Sequence, residues 1–416
     1  MKKLLAKLRN DVSGNILLIG AVGSAALVGG AGLGVDTVQW YLWQRQLQQA
    51  VDAGALAGAL SKYHGFNYTD AATEEVNRNA NTTVTIQGIN DPPTTGAYAG
   101  QSSAIEVIAT TQKQLPFSSL FLKTAPSIYA RAVAATVDGD KHCVISLAPT
   151  GVGVKVSGTA NVQLGCGVAA NSNSGQAIYL SGTSWLESNP LSTVGGIYYS
   201  ANNIPANTSL LTYGLPQVDP MTARGLTVPS TPSGCTYNSL TVKPQDTVTL
   251  NPGRYCNGLT IRGNATLNPG VYIIDQGSLT INSQATVVGE GVTFVLTGSA
   301  ANNVASTNIA GGANIDLRAP TEAEDATWHD VLVFQDSLAS TGQTNFLAGG
   351  SGTGFNGIVY MPKGDISFAG NSSGQADCLL MVAYTVTFTG DADIQNNCPS
   401  SMDDLHLTDS RIRVVE

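Results

Sequence analysis

Six cysteines are the residues of this 416-residue chain whose spacing constrains its chemistry most. They form three close pairs, Cys143/Cys166, Cys235/Cys256 and Cys378/Cys398, separated by 23, 21 and 20 positions. No CxxC occurs, so zinc finds no ligand knuckle. An even count in an exported chain points instead to oxidation into disulfides. Sequential pairing is one of many connectivities open to six cysteines. It is the one preferred if residues one coil apart stack at about 4.8 Å, near the Cα separation a disulfide adopts.

The other reactive side chains do not cluster. The histidines (64, 142, 329 and 406) show no pairing in the sequence. His329, within Trp-His-Asp, is the best single acid–base candidate and reads as a packed or solvated histidine. Glycan cleavage needs paired carboxylates, or an Arg or Lys base, on one face. Here Asp246, Asp275, Glu290 and Asp316 are scattered singly, and Arg254 and Arg262 are expected on different sides of a coil. Asp138, Asp140 and His142 in DGDKHC invite a metal, but without the loop of a calcium site the stretch reads as a solvated turn. GxSxG and P-loop motifs are absent. The sequence therefore reads as a non-enzyme, with no catalytic residue, no cofactor and no metal.

A repeat must position the cysteines. LNPGRY at 250–255 recurs as LNPGVY at 267–272, and GEGVTF at 289–294 is a looser third copy. Short alternating stretches lie between, such as Leu259-Thr-Ile-Arg262 and Ser278-Leu-Thr-Ile-Asn282. Glycine corners and short strands at a period near 20 predict a β-solenoid, because one coil cannot bury its inward side while stacked coils share a core. The texture returns in 152–200 and 355–395. Asn and Ser at turns can stack in ladders. The segment 205–244 carries prolines at 205, 216, 220, 229, 232 and 244 and reads as an extended crossing segment.

Composition agrees with export. Apolar residues make up 43% and charged residues only 12%, with 46 glycines, which suits a β-rich exported protein better than a cytosolic enzyme. The net charge is −9. Leaving aside Lys2, Lys3, Lys7, Arg9 and Asp11, the remainder holds 16 basic and 28 acidic residues, a net of −12. Such a body repels nucleic acid, which is excluded as a partner.

From Val12 to Val35 no residue is charged, and Ile16–Gly34 spans 19 residues, about 29 Å as a helix against a hydrocarbon core of about 30 Å. The basic cluster before it predicts a cytoplasmic N-terminus and a single pass through the inner membrane. A cleaved signal would have a shorter apolar region with a turn after it. Instead Asp36–Leu60 continues without proline, as an amphipathic helix. Gly30 and Gly34 have the small-xxx-small spacing through which membrane helices self-associate. Ala50, Gly54 and Gly58, with Ala53 and Ala57 alongside, make a flat stripe for close packing against another helix or a sheet. Trp40, Tyr41 and Trp43 fall where the helix should leave the bilayer.

After the anchor, a helix at Thr69–Ala80 and strands at Thr83–Gln87, Ala104–Ala109 and Ile128–Val137 predict a small α+β unit. The expected division is 1–60 for the basic tip and anchor, 61–140 for the α+β domain and 141–416 for the solenoid. The fold class is mainly β.

The basic patch, an apolar run ending in G-L-G-V-D (32–36), and L-Q-Q-A-V-D-A-G-A-L-A-G-A (47–59) together resemble the TadE/TadG-like proteins of Flp (tight adherence) pilus assembly, over about residues 9–60. Type IV pilins carry Glu five residues after the Gly at their cleavage site. Here Gly14 is followed by Asn-Ile-Leu-Leu-Ile, which fits an anchored TadG-like protein better than a processed pseudopilin. GCGVAANS, the proline-rich segment with its Asp-Pro and G-I-V-Y-x-P also resemble a TadG-like C-terminal region. Some members carry a von Willebrand A domain instead, but Asp336-Ser-Leu-Ala-Ser340 lacks its DxSxS spacing. The resemblance implies a non-catalytic structural or assembly component with a periplasmic or extracellular body. Its partners would be other Tad/Flp pilus-assembly proteins, including pilin-like helices against the small-residue stripe. The alternative is a surface adhesin or carbohydrate-binding β-helix protein.

Overall fold

The structure, a computed structural model, describes residues 14–348, 354–369, 373–376, 378–390, 393–396 and 407–416. The basic cluster at 2–9, Cys398 and His406 lie outside these residues. Two compact units emerge, Met1–Val137 with Arg411–Glu416, and Asp138–Ser410.

The first unit begins with α1, Gly14–Tyr63, a single 50-residue helix about 75 Å long. No proline interrupts it, and Ala, Leu and Gln dominate its second half. A short turn leads to α2, Tyr68–Asn79, whose first turn is capped by the Asn67 side chain accepting from the Thr69 N–H at 3.0 Å. Three antiparallel strands follow: β1 (Thr85–Asn90), β2 (Ala104–Gln112) and β3 (Ser127–Ser146). β2 lies between the others, in register from Ala104 opposite Ala135 to Gln112 opposite Ser127.

Two periodicities meet in the core of this unit. Leu47, Val51, Ala55 and Ala59 recur at helical spacing on α1, with Ala72 and Val76 on α2. They cover Ile105, Val107 and Ala109 of β2 and Ile128, Ala130, Ala132 and Ala134 of β3, which alternate at strand spacing. On β3 most of these are alanine, so the helices lie close to the sheet. Ala104, Val133 and Ala135 cluster separately with Tyr98, Val137 and Val415. Val133 donates to the Glu416 carbonyl at 2.8 Å and accepts from the Val415 N–H at 2.8 Å. Residues 411–416, assigned from sequence to the C-terminal body, thus add to this sheet.

The second unit is a helical, parallel β-rich body. Its layers do not follow chain order. From one end, one column of paired strands runs Leu210–Leu211, Leu191–Thr193, Gly167–Ala170, the end of β3, Leu379–Thr389, Gly354–Ala369, Val331–Gln335, Val292–Thr297, Gly270–Asp275, Gly253–Ile261 and Tyr237–Val242. The chain therefore enters mid-stack, winds to one end, crosses to the opposite end and winds back until Met381–Ala383 pairs with Val144–Ser146. All these pairings are parallel. The stretch expected to be a solvated turn, DGDKHC, is strand instead. His142 pairs with Gly167 and is buried, with Nε2 at 3.1 Å from Ser192 Oγ. Strand partners hold β3 on either side of Asp-Gly-Asp, up to Ala135 before it and from His142 after it, and the chain runs through extended.

The repeated hexapeptide has a local cause. The phenols of Tyr255 and Tyr272 donate to the carbonyls of Asn251 and Asn268, each four residues back, at 2.7 and 2.8 Å. Asn268 Nδ2 donates to Asn251 Oδ1 at 2.7 Å, so the motif's asparagines form a ladder. Gly270 has φ +133°, and Pro252 of the preceding copy fills the space its Cβ would take. Tyr237, Tyr255, Tyr272 and Phe294 stack in succession at 4.6, 5.8 and 5.6 Å between ring centroids. Leu259 faces Leu279 and Ile261 faces Ile281, a spacing of 20, but Val295 faces Phe334, 39 residues on. The regular period breaks because residues 298–330 add turns and short strands outside the column.

Candidate functional site

Among the described residues α1 is the one helix long and apolar enough to cross a membrane. Ile19, Val22, Leu27, Val28, Leu33 and Val35 are all exposed. A side chain added at Gly30 or Gly34 would meet open space. Both glycines lie on uncovered helix surface. The aromatic group divides: Trp40 and Tyr41 are exposed, while Trp43 packs on the core of the first unit with Lys113 Nζ 4.7 Å from its ring centroid.

The second stripe is differently placed. Ala50 is fully buried. A Cβ on Gly54 would strike Val76 of α2, and one on Gly58 would lie 3.2 Å from Ile105 of β2 and 3.3 Å from Ala72. The expectation that this stripe packs on pilin-like helices of other proteins meets an internal contact instead, since the chain's own α2 and β2 cover it. Small residues are needed here because two backbones and a sheet converge on one helix face.

Between these stretches stands Asp36, buried although it follows a run without charge. Its carboxylate accepts the Phe117 N–H at 2.9 Å, together with the N–H and hydroxyl of Ser118. Phe117 and Ser118 open a short 3₁₀ turn, Ser118–Leu120. The Phe117 ring lies over Gly32, where a Cβ would come within 2.5 Å of it. The loop between β2 and β3 is thus fastened to α1 at Gly32 and Asp36, one turn apart.

Sequence reading missed a second acid. Glu106, in the apolar strand β2, is fully buried. It accepts from Asn90 at 2.7 Å, from the Thr94 hydroxyl and N–H at 2.7 and 3.1 Å, and from Arg131 at 2.6 Å. Burial pushes its carboxyl up, but these donors outweigh that and hold it at about 2. Arg131 also pairs with Glu416 at 2.7 Å, which holds the Glu416 carboxyl below its ordinary value. The signal was a charge inside Ala104-Ile-Glu-Val-Ile-Ala109, where a strand buried on both faces tolerates it only if paired.

In the body, Cys143–Cys166 and Cys235–Cys256 are disulfides, each with Cα atoms 5.6 Å apart. Cys378 is buried, and its expected partner Cys398 is outside the described residues. Arg254 reaches Asp275 at 2.7 Å and the carbonyls of Pro232 and Pro229 at 2.7 and 3.1 Å. His329 pairs through Nδ1 with Asp330 at 2.5 Å, and its carbonyl accepts from Arg224 at 2.8 Å. Among the described residues, no hydroxyl or thiol is hydrogen-bonded to its Nε2. Among the described residues no group of three His, Cys, Asp or Glu side chains could hold a metal.

The Flp pilus-assembly TadE/G-like family matches residues 14–61. The match covers nearly all of α1, including Asp36 and the stripe at 50–58, and none of the β body. No characterised protein and no solved structure matches the chain.

Proposed function

We propose that this protein is a non-catalytic, TadG-like component of Flp-type pilus assembly, anchored once in the bacterial inner membrane. The observation that carries the reading is the family match over residues 14–61, which coincides with an exposed apolar helix able to cross a membrane. The basic residues 2, 3, 7 and 9 favour a cytoplasmic N-terminus. Disulfides at 143–166 and 235–256 favour a body on the oxidising, periplasmic side. In this reading the helical β body is a solenoid that offers a rigid surface to envelope partners, and the uncovered Gly30/Gly34 face is where α1 meets other membrane helices or a second copy.

The deciding experiment is genetic and biochemical. A strain lacking the protein should lose surface Flp fibres and regain them with the full chain. Restoration should fail when residues 14–35 are replaced by an unrelated membrane helix. Normal fibres in the deletion strain would overturn the reading. A glycan-binding body has one foothold: Tyr179 and Tyr198 stack at 5.0 Å on adjoining coils, with Tyr198 half exposed. Glycan binding that Tyr198→Ala abolishes would favour that alternative.

A further inference from the structure

The loop fastened to Asp36 presents its largest apolar side chains outward. Leu120, Phe121 and Leu122 are 74%, 75% and 53% exposed. They lie in a tight turn in which Ser118 O accepts from the N–H of Phe121 at 2.9 Å and of Leu122 at 2.7 Å. Phe117 and Phe121 contact each other at 5.7 Å between ring centroids. The turn is therefore held in shape and fastened to α1, and is not a loose tip.

Its attachment point gives the meaning. The Phe117 ring rests on Gly32, inside the uncharged stretch 12–35 and not beyond it. Asp36 would end that stretch, yet the turn's own donors occupy both its carboxylate oxygens. With the acid sealed, exposed apolar surface continues along α1 through Val38, Tyr41 and Leu42. A helix rises about 1.5 Å per residue, so Gly32 and Leu42 bracket a band some 15 Å tall. Leu120–Leu122 emerge at that band.

We propose that the Phe117–Leu122 turn is a second membrane contact, an interfacial wedge that inserts Leu120, Phe121 and Leu122 into the leaflet at which α1 leaves the bilayer. The occupant of this apolar patch is lipid, because the turn that carries it is fastened to the spanning helix at Gly32 and Asp36, within and at the end of its uncharged stretch. The wedge rests on the anchor reading above. Its consequence is orientation: a helix alone can rotate and tilt, whereas a helix with a lateral apolar foot stands on the membrane one way round.

The test uses the full chain in vesicles of phosphatidylethanolamine and phosphatidylglycerol. An environment-sensitive fluorophore is attached, without reductant, to Phe121→Cys, Leu120→Cys, Val28→Cys or Phe66→Cys. Phe66 is a matched control: it is 73% exposed and apolar, but follows the far end of α1, 30 positions from Asp36. The Phe121 and Leu120 probes should emit to the blue and be quenched by lipids carrying a doxyl group near the headgroup. The Val28 probe should be quenched by deep doxyl groups, and the Phe66 probe by aqueous iodide alone. A Phe121 probe quenched only by iodide, with Val28 still quenched from within the bilayer, overturns the wedge and leaves the anchor. A blue-shifted Phe121 probe that no doxyl lipid quenches means burial against protein and also overturns it. Equal lipid quenching at Phe66 means general adsorption, which overturns the wedge as well. An unquenched Val28 probe overturns anchor and wedge together.

Discussion

Arg254 and Asp275 stand on adjoining coils, paired at 2.7 Å, and the same guanidinium holds the carbonyls of Pro229 and Pro232. One side chain thus joins two coils to the segment that crosses the stack. Further along, that segment is held by Asn171, which exchanges hydrogen bonds with the Gln217 backbone at 2.7 and 2.8 Å, by Tyr360 donating to Asp219 at 2.8 Å, and by Arg224 donating to the His329 carbonyl. Each anchor sits on a different layer, so the crossing chain works as a strap along the stack.

Removing the clamp at its far end should loosen the strap before the coils. Arg254→Ala leaves an acid and two carbonyls without their donor, a cost of about 2–3 kcal/mol. Urea unfolding should show a lower midpoint, and limited proteolysis should cut within 225–236 faster than in the wild type. Lysine should not restore resistance, because its single ammonium cannot reach three acceptors in a planar fork. Unchanged cleavage in Arg254→Ala would remove the clamp role.

Acid should weaken the first unit in a defined window. Glu106 ionises at about 2 in the fold, against an ordinary 4.5. A depressed carboxyl contributes stability that is present above the unfolded value and lost as pH falls. The contribution is on the order of 3 kcal/mol, complete above about pH 4.5 and gone near pH 2. Glu106→Gln should lower stability at pH 7 and flatten the stability–pH curve between those limits. A curve as steep as the wild type's would assign the acid sensitivity elsewhere.

The two glycine pairs of α1 should answer differently to the same change. Gly54→Val meets Val76 and the Ala72 carbonyl of α2, and overpacking of this kind costs about 1–3 kcal/mol. Gly30→Val meets open space and should leave the melting temperature of the first unit unchanged. Its effect belongs to the membrane, where cross-linking in vesicles would report any lost association between copies. Equal destabilisation by both would contradict the division of α1 into a covered and an uncovered face.

How much of this could be read in the chain depends on how local each cause is. The LNPG repeat was legible because Tyr255 and Tyr272 bond four residues back, and α1 was legible from its uninterrupted composition. Pairing of Met381 with Val144 was not, since nothing near either residue specifies a neighbour 237 positions away. The prolines announced a crossing segment but not the layers that Asn171, Tyr360 and Arg254 fasten. Asp36 was read as the end of an apolar run, because its partners Phe117 and Ser118 lie 81 and 82 positions on. Asp138-Gly-Asp looked like a turn for the same reason: the partners that hold β3 extended before and after it, Ala104 opposite Ala135 and Gly167 opposite His142, lie elsewhere in the chain.

The Cys235–Cys256 bridge offers the sharpest test, because it ends the strap that Arg254 begins to hold. It closes a loop of about 21 residues, for which chain entropy gives about 3 kcal/mol. Replacing both cysteines by serine should lower the melting temperature and keep the β-rich circular dichroism, since the Tyr255–Tyr272–Phe294 stack in the shared core does not involve the bridge. Cys235 is exposed, so gentle reduction should open this bridge before the buried Cys143–Cys166 pair. The bridge and Arg254 restrain the same stretch, 229–235. Their losses should therefore not add: with the bridge gone the end of the strap frays, and Arg254→Ala should then cost less than in the wild type. A double-mutant cycle measures this directly. Full additivity would mean that the bridge and the guanidinium act on separate parts of the fold, and the strap would have to be abandoned as a single mechanical element.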